Sequence, residues 1–316
     1  INARYFELGL TAGSSDLLHN FDSCFSAPSA AVQAAARQIA GAYGRRLALL
    51  LITLKQGHPA NRQARPSWQQ AQWEFWNRIS TVHVGGGLMA GAVGPLSIRS
   101  AVDTLRSCEC VELDVHLSPF GVNLPLAGLA RTAPAEIQAM LVFDFGHTAV
   151  KRAVVQYRST SNSVLRLLSN MPAQVDSEPP SAFARDHAQG VADQIVATVT
   201  QTWQEARDQD EQLDSHLGLS LACYLVGGHP PTSEMGHYGR LQLLADHLQT
   251  YLTHRISKSI GHQVQINLFH DGTAAALAFA GSQDTAVLML GTAIGVGFPS
   301  ETDHGLSRHA LSVADP

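Results

Sequence analysis

Three apolar segments of this sequence each end in a short turn that is rich in glycine and small residues. The turns are Gly85-Gly86-Gly87, Asp144-Phe145-Gly146-His147-Thr148 and Gly291-Thr292-Ala293-Ile294-Gly295. Glycine lets the backbone bend sharply and lets another group approach it closely. Each turn needs a strand before it and a helix or returning strand after it, and this requirement restricts the folds that the chain can adopt.

Helical and strand-like patterns alternate along the rest of the chain. Residues 29–57 have the apolar spacing of a long helix, and residues 79–84 form a β-branched run before the first glycine turn. A buried strand at 217–226 and a helix-rich stretch at 238–260 follow a meander of short strands. This alternation predicts an α/β fold, and 316 residues with 45% apolar content are enough for two domains.

Composition argues against several functional classes. A net charge of −5 gives no general attraction for nucleic acid, and no apolar run approaches the roughly 20 residues that cross a bilayer. Four cysteines without a repeated Cys-x-x-Cys spacing do not predict structural zinc, and they fit a reducing compartment. Fifteen histidines form no His-x-x-x-His pair on a recognisable helix, so metal binding is not predicted from them. We expect a cytoplasmic protein with no nucleic-acid or membrane partner.

The turn after Asp144 has the residue types of a phosphate site. An acid at the end of a strand can orient a hydrated Mg²⁺, while backbone N–H groups, the Thr148 hydroxyl and the nearby Lys151 can surround phosphate oxygens. An ordinary β-turn that begins with Asp has the same local pattern, and the turn alone does not separate the two interpretations.

Asp271 follows a predicted strand and stands at the head of the predicted helix 272–280. The positive end of the helix dipole favours the ionised carboxylate, which could accept a proton from an attacking hydroxyl. A helix N-cap explains an Asp at this position equally well. Gly291 and Thr292 follow in a second strand–turn–strand segment. The presence of this second turn favours a catalytic role for Asp271 over a helix cap.

In combination these segments resemble the motifs of the superfamily of sugar kinases, actin and heat-shock ATPases, most closely the ROK group of bacterial sugar kinases and sugar-responsive proteins. ROK proteins have an Asp-x-Gly-Gly-Thr-Lys turn, an Asn-Asp pair before a small-residue helix, and a Gly-Thr-Gly-Ile-Gly turn. The matching segments are residues 144–148, 270–276 and 291–295. The adenosine motif, a strand ending in three glycines, resembles residues 82–87. It comes last in the family and first here, so the chain resembles a circular permutant.

The resemblance implies two actin-like ATPase (ribonuclease H-like) α/β domains around a central cleft. One would comprise residues 1–130 and 265–316, with the adenosine and phosphate-2 motifs, and the other residues 131–264, with the phosphate-1 motif and the sugar side. It also implies ATP-dependent phosphorylation of a sugar or amino-sugar hydroxyl with Mg²⁺, and it is compatible with a homodimer.

The resemblance also implies a role for each matching residue. Asp271 would be the catalytic base, and Asp144 would hold Mg²⁺ through water. The nucleotide-binding set would be Gly85, Gly86, Gly87, Asp144, Gly146, Thr148, Lys151, Gly291, Thr292 and Gly295. The residues expected to contact the sugar are Asn267, His270 and His229.

Three positions depart from the family pattern. His147 and Ala293 stand where glycine is usual, and His270 replaces the sugar-contacting Asn. The Glu-x-Gly-His sugar motif with its cysteine-rich zinc loop is not evident. These departures leave open a non-catalytic relative that binds a sugar or nucleotide for sensing or regulation. A Rossmann dehydrogenase is a more distant alternative, because residues 85–87 lack the Gly-x-Gly-x-x-Gly spacing.

Overall fold

The computed structural model describes residues 8, 10, 17–108, 112–134, 136–159, 162–173, 184–209, 211–233, 236–302 and 310–314. In chain order the helices are α1 Leu17–Ser23, α2 Ala30–Gln56, α3 Pro59–Gln63, α4 Gln70–Arg78, α5 Val93–Arg106, α6 Leu124–Leu129, α7 Ala184–Asp208, α8 Leu248–Ile260 and α9 Asp271–Leu277. The strands are β1 Thr81–Gly85, β2 Asp114–Leu117, β3 Ala139–Phe145, β4 Ala149–Ser159, β5 Asn162–Pro172, β6 Leu213–Leu221, β7 Gln265–His270, β8 Thr285–Leu290, β9 Ile294–Gly297 and β10 Ala310–Ala314. The fold is therefore mixed α/β, as the sequence predicts.

Internal contacts divide the chain into two units. The first comprises residues 1–122 and 284–294, and the second residues 123–283 and 295–316. This division differs from the sequence-based one, since residues 123–130, 265–283 and 295–316 belong to the second unit. The reason is strand pairing and close helix contact: β7 is hydrogen-bonded to β6, and Gly128 of α6 lies against the backbone of Ala274 in α9.

The first unit is built on a sheet with the strand order β2-β1-β8-β9, in which β1 runs parallel to both β2 and β8. The chain passes to the second unit within β9. Helix α2 begins where the Ser29 hydroxyl accepts from the Val32 N–H and ends at Gly57, whose left-handed conformation favours glycine. At Gly44 a Cβ would stand 2.0 Å from the Ser97 carbonyl oxygen of α5, so these helices pack at glycine distance.

The second unit is built on a sheet with the order β10-β5-β4-β3-β6-β7. Strands β3, β4 and β5 form an antiparallel meander, while β3, β6 and β7 are parallel. Helices α7 and α8 cover one face, where they pack on Leu141, Phe143 and Phe145. Helices α6 and α9 cover the other face, where Leu126 and Ala274 cluster with Met140 and Val142. Strand β3 is thus buried on both sides, which is usual where parallel strands meet helices on two faces.

Strand β6 ends earlier than its apolar sequence predicts. It stops at Leu221, and the expected continuation to Val226 is a loop followed by a two-residue turn at Gly227 and Gly228, both with positive φ. Among the described residues, no helix is both long and apolar enough to span a membrane.

Candidate functional site

The parallel strands of the second unit bring both predicted acids to one edge of the sheet. Asp144 in β3 is in register with Ser220 in β6, and Ser220 is in register with Phe269 in β7. Asp271 follows β7 directly as the first residue of α9. Two strand spacings therefore separate the acids across the sheet, on the order of 10 Å. The carboxyl edge of parallel strands is the usual location of binding sites in α/β proteins.

Asp144 is the more enclosed of the two acids, with only 3% of its surface exposed. Its Oδ2 lies 2.6 Å from Lys151 Nζ, and its Oδ1 accepts a hydrogen bond of 2.8 Å from the Ser220 hydroxyl. Lys151 is directly opposite Asp144 in the antiparallel β3–β4 pair, so the hairpin register creates this ion pair. A buried carboxylate needs such partners, because desolvation without them is costly.

The turn between β3 and β4 is stabilised by a hydrogen bond from a tyrosine. The Gly146 N–H is shared between the carbonyls of Asp144 and Ala149, and the Gly146 carbonyl accepts a hydrogen bond of 3.0 Å from the Tyr238 hydroxyl. Burial, with a further contribution from the charge of Asp144, raises the pKa of Tyr238, so this hydroxyl remains a donor. Thr148 at the tip of the turn is exposed. The tip is therefore open to a ligand while its base is fixed.

Asp271 lies in a compact group of side chains at the head of α9. Its Oδ1 is 2.6 Å from the Gly272 N–H and 2.9 Å from His270 Nε2. The N-cap residue of α9 is His270. The alternative in which Asp271 itself is the N-cap is therefore wrong. The imidazole stacks on Tyr224, with ring centroids 4.4 Å apart and planes 18° from parallel. One quarter of the Asp271 side chain is exposed, so its carboxylate remains accessible.

Strand β9 crosses the first turn of α9 at backbone contact distance. A Cβ on Gly297 would stand 1.8 Å from the Gly272 carbonyl oxygen, and a Cβ on Gly272 would stand 2.7 Å from Val296. Only glycine fits at both positions without moving the backbone. This crossing brings Gly295, two residues earlier in the same strand, near the helix that begins with Asp271.

In the first unit the structure brings two glycine turns together. Gly85 ends β1 in register with Met289 near the end of the parallel strand β8. Gly86, at φ 97°, has no room for a Cβ, which would stand 2.5 Å from the Leu290 carbonyl oxygen. Gly87 is exposed, and so are Gly291 and Thr292 after β8. The predicted nucleoside and phosphate-2 turns therefore lie side by side at the carboxyl edge of this sheet.

The helix that follows the first glycine turn has a carboxylate at its N-terminal end. Helix α5 begins at Val93, and the N–H of its N-cap residue Ala92 donates to Asp22 Oδ1 at 2.8 Å. The negative charge of Asp22 therefore already lies at the positive end of this helix dipole.

The predicted sugar-contacting residues are dispersed. Asn267 is paired with Gly218 in the middle of β7, three residues before its carboxyl end and on the opposite face from His270. His229 closes the tight turn that follows β6, bridged to Val226. Both nitrogens of His270 face neighbours of its own turn, Asp271 and Thr273. Of the three, only His270 lies beside the predicted base.

Three residues of this region were not predicted from the sequence. Ser220 binds Asp144, Tyr224 stacks on His270, and Tyr238 holds the Gly146 turn. A hydroxyl in the otherwise apolar run 217–221 was a usable signal for Ser220. The two tyrosines lie in loops and gave no periodic signal.

The donor set limits how a metal could bind. In the described part of the chain, no group of three or more His, Cys, Asp or Glu side chains is arranged so that it could hold a metal ion. A cage of protein ligands is therefore not available there. Mg²⁺ commonly keeps several waters and takes one or two carboxylates together with substrate phosphates.

Comparison of the chain with protein-family models gives no match, and comparison with curated proteins gives no significant match either.

Proposed function

We propose that this protein transfers a phosphoryl group from ATP to a hydroxyl of a sugar or amino sugar, as the resemblance to ROK sugar kinases implies. The observation that carries the proposal is the pair of acids at the carboxyl edge of β3, β6 and β7. One is buried and paired with a lysine, and the other is partly exposed at the head of a helix. Phosphoryl transfer to a hydroxyl can use both kinds of acid, one to position the charged groups and one to accept the hydroxyl proton.

The strand order of the second unit supports the proposed actin-like fold. Without β10, the order is third, second, first, fourth and fifth strand along the chain, with only the second antiparallel to the rest. Ribonuclease H-like domains have this arrangement. The adjacent turns at Gly86 and Gly291 in the first unit supply closely approachable backbone of the kind that nucleotides bind.

Each residue has a defined task in the proposed reaction. In the second unit, the Thr148 hydroxyl and the backbone of the turn at Gly146 are proposed phosphate contacts. In the first unit, the Thr292 hydroxyl and the backbone of the turns at Gly86 and Gly291 are proposed for the same task. Mg²⁺, held by ATP phosphates and by Asp144 through water, would neutralise phosphate charge. Lys151 either stays with Asp144 or turns to a phosphate, since its side chain is partly exposed.

Asp271 is the proposed base. The acceptor hydroxyl oxygen forms a bond to the terminal phosphorus of ATP as the bond from that phosphorus to the bridging oxygen breaks. The hydroxyl proton passes to Asp271, and ADP leaves with the electron pair of the broken bond. General-base assistance of this kind contributes about 10²- to 10⁴-fold to a rate.

A second candidate is a relative without catalytic activity that binds a sugar or nucleotide as a sensor. The observation in its favour is that both acids are engaged within the protein, Asp144 by Lys151 and Ser220, and Asp271 by His270. An acid that serves only structure would show the same contacts.

The variant Asp271→Asn distinguishes the kinase from the non-catalytic sensor. The amide keeps an oxygen for the Gly272 N–H, so we expect nearly unchanged stability. Loss of the base should lower sugar phosphorylation by about 10²-fold or more, with nucleotide affinity retained. The measurement is coupled detection of ADP across a panel of hexoses and amino sugars, with nucleotide affinity from calorimetry.

The matched control is Asp246→Asn, an exposed acid of the same unit. It should leave the rate unchanged. Equal rates in Asp271→Asn and the unmutated protein would show that Asp271 is not the base. Binding of a sugar without turnover in either protein would favour the sensor.

A further inference from the structure

We infer that His270 and Tyr224 are positioning residues that fix the carboxylate of Asp271 in one orientation. His270 is almost fully buried and has a partner on each side of its ring: Asp271 Oδ1 at 2.9 Å from Nε2, and Thr273 Oγ1 at 3.4 Å from Nδ1. Tyr224 covers the ring face. The imidazole therefore cannot rotate without losing all three contacts.

The chemistry of the partners determines which nitrogen of the neutral ring carries the hydrogen. An ionised carboxylate only accepts hydrogen bonds, so Nε2 carries the hydrogen that points to Asp271. In the neutral imidazole Nδ1 is then the acceptor, and the Thr273 hydroxyl can supply its hydrogen. His270 thus serves Asp271 as a fixed donor.

The contacts described for the Asp271 carboxylate fall on one oxygen. Oδ1 receives both the Gly272 N–H and His270 Nε2–H. This leaves Oδ2 as the oxygen that would accept the hydroxyl proton. The role in catalysis rests on the proposed function, whereas the hydrogen bond and its dependence on Tyr224 do not.

Tyr224 contributes through its ring. It follows the early end of β6, and half of its surface is exposed. One face of the Tyr224 ring packs on His270, while the rest of the side chain stays in contact with water. Its loss would let solvent reach the His270 ring and loosen the hydrogen bond to Asp271.

Nuclear magnetic resonance of protein labelled with ¹⁵N at histidine tests the contact directly. A side-chain N–H that is buried and hydrogen-bonded exchanges slowly with water, so His270 Nε2–H should give a cross-peak, assigned by its absence in His270→Gln. We expect this cross-peak to vanish in Asp271→Ala and in Tyr224→Leu. It should persist in Tyr224→Phe, which keeps the ring, and in Asp246→Asn.

Two outcomes would overturn the inference. One is a His270 cross-peak that is unchanged in Asp271→Ala, and the other is one that is unchanged in Tyr224→Leu. If Asp271→Ala does not fold, Asp271→Asn replaces it: the amide oxygen is a weaker acceptor, so the cross-peak should shift, and an unshifted peak would count against the contact.

The kinetic arm measures the role in catalysis. Tyr224→Leu and His270→Gln should lower kcat by about 10-fold or more, because small misplacement of a reacting group is costly, while KM for ATP stays the same. Restoring a ring with Tyr224→Phe should recover the rate lost in Tyr224→Leu. A normal kcat in Tyr224→Leu would overturn the positioning role. If Asp271→Asn itself is fully active, the proposed function fails, while the spectroscopic result still decides the contact.

Discussion

The two acids of the candidate site differ at the scale of single side chains. Asp144 is buried and has a hydroxyl and an ammonium as partners, so its charge is compensated inside the protein. Asp271 is partly exposed and has an imidazole as its partner. A compensated acid suits the orientation of a ligand, while an accessible acid suits proton transfer. The sequence does not distinguish the two environments, because Ser220 comes from β6 and Tyr224, which stacks on His270, comes from the loop after β6.

His83 in β1 supplies a pH-dependent contribution to stability. Burial lowers the pKa of His83, and the neighbouring His116, with its ring 5.6 Å away, lowers it further. The unfolded chain therefore binds the proton more readily than the folded protein. The contribution of His83 is complete above its ordinary pKa of 6.5 and is lost as the pH falls from that value through the lower folded-state pKa.

We expect His83→Gln to reduce the loss of unfolding free energy that occurs when the pH falls below the ordinary pKa of histidine. The measurement is the free energy of unfolding from urea titrations at about pH 7.5 and about pH 5. The control His254→Gln changes an exposed histidine of α8 and should leave the acid-side loss as it is in the unmutated protein. An equal loss in all three proteins would contradict the assignment to His83.

Glycine has two different roles at the scale of elements. At Gly272 and Gly297 the backbones of α9 and β9 are so close that any side chain would force them apart. At Gly190, in the interior of α7, nothing lies within 4 Å of the position that a Cβ would take. The same substitution should therefore have opposite effects at the two kinds of site.

Gly297→Ala should lower the free energy of unfolding by about 1–3 kcal/mol or more, the usual range for overpacking. Gly190→Ala should raise it by about 0.4–1 kcal/mol, because alanine loses less backbone freedom in a helix. Urea titration of both variants measures the difference. A Gly297→Ala protein as stable as the unmutated one would show that β9 can move away from α9 at little cost.

At the scale of the whole molecule, the proposed function requires binding of Mg-ATP. We expect calorimetry to detect it, and Asp144→Asn to weaken it by about 10-fold, since a hydrogen bond to a charged group contributes about 1.5–3 kcal/mol. Asp144→Asn keeps the shape and an oxygen for Ser220, so the fold should be retained. The melting temperature should rise with Mg-ATP in the unmutated protein and less in the variant.

Asp246→Asn is again the control and should bind Mg-ATP like the unmutated protein. A protein that binds no nucleotide at all would exclude the kinase and leave the sensor with another ligand. Nucleotide binding that is insensitive to Asp144 would exclude the assigned role of this acid and leave the glycine turns as the nucleotide contacts.

Local order was largely predictable from the sequence. The bounds of α2 follow from Ser29 and Gly57, and the β3–β4–β5 meander follows from alternating apolar runs, because both depend on residues that are close along the chain. The end of β6 was not predictable in this way. The run 217–226 is apolar except for Ser220 and the Tyr224 hydroxyl, and its last part leaves the sheet to form a loop that carries Tyr224.

The sequence by itself determined the strand–turn segments and the residue types in them, including Asp144 and Asp271, since turns and strand ends are set by local backbone preferences. Only the tertiary structure decided that Ser220 binds Asp144, that Tyr224 stacks on His270, and that β7 belongs to the sheet of the second unit. These contacts depend on the register and order of strands that are distant along the chain. No local pattern encodes that order, because it is set by how the whole core packs.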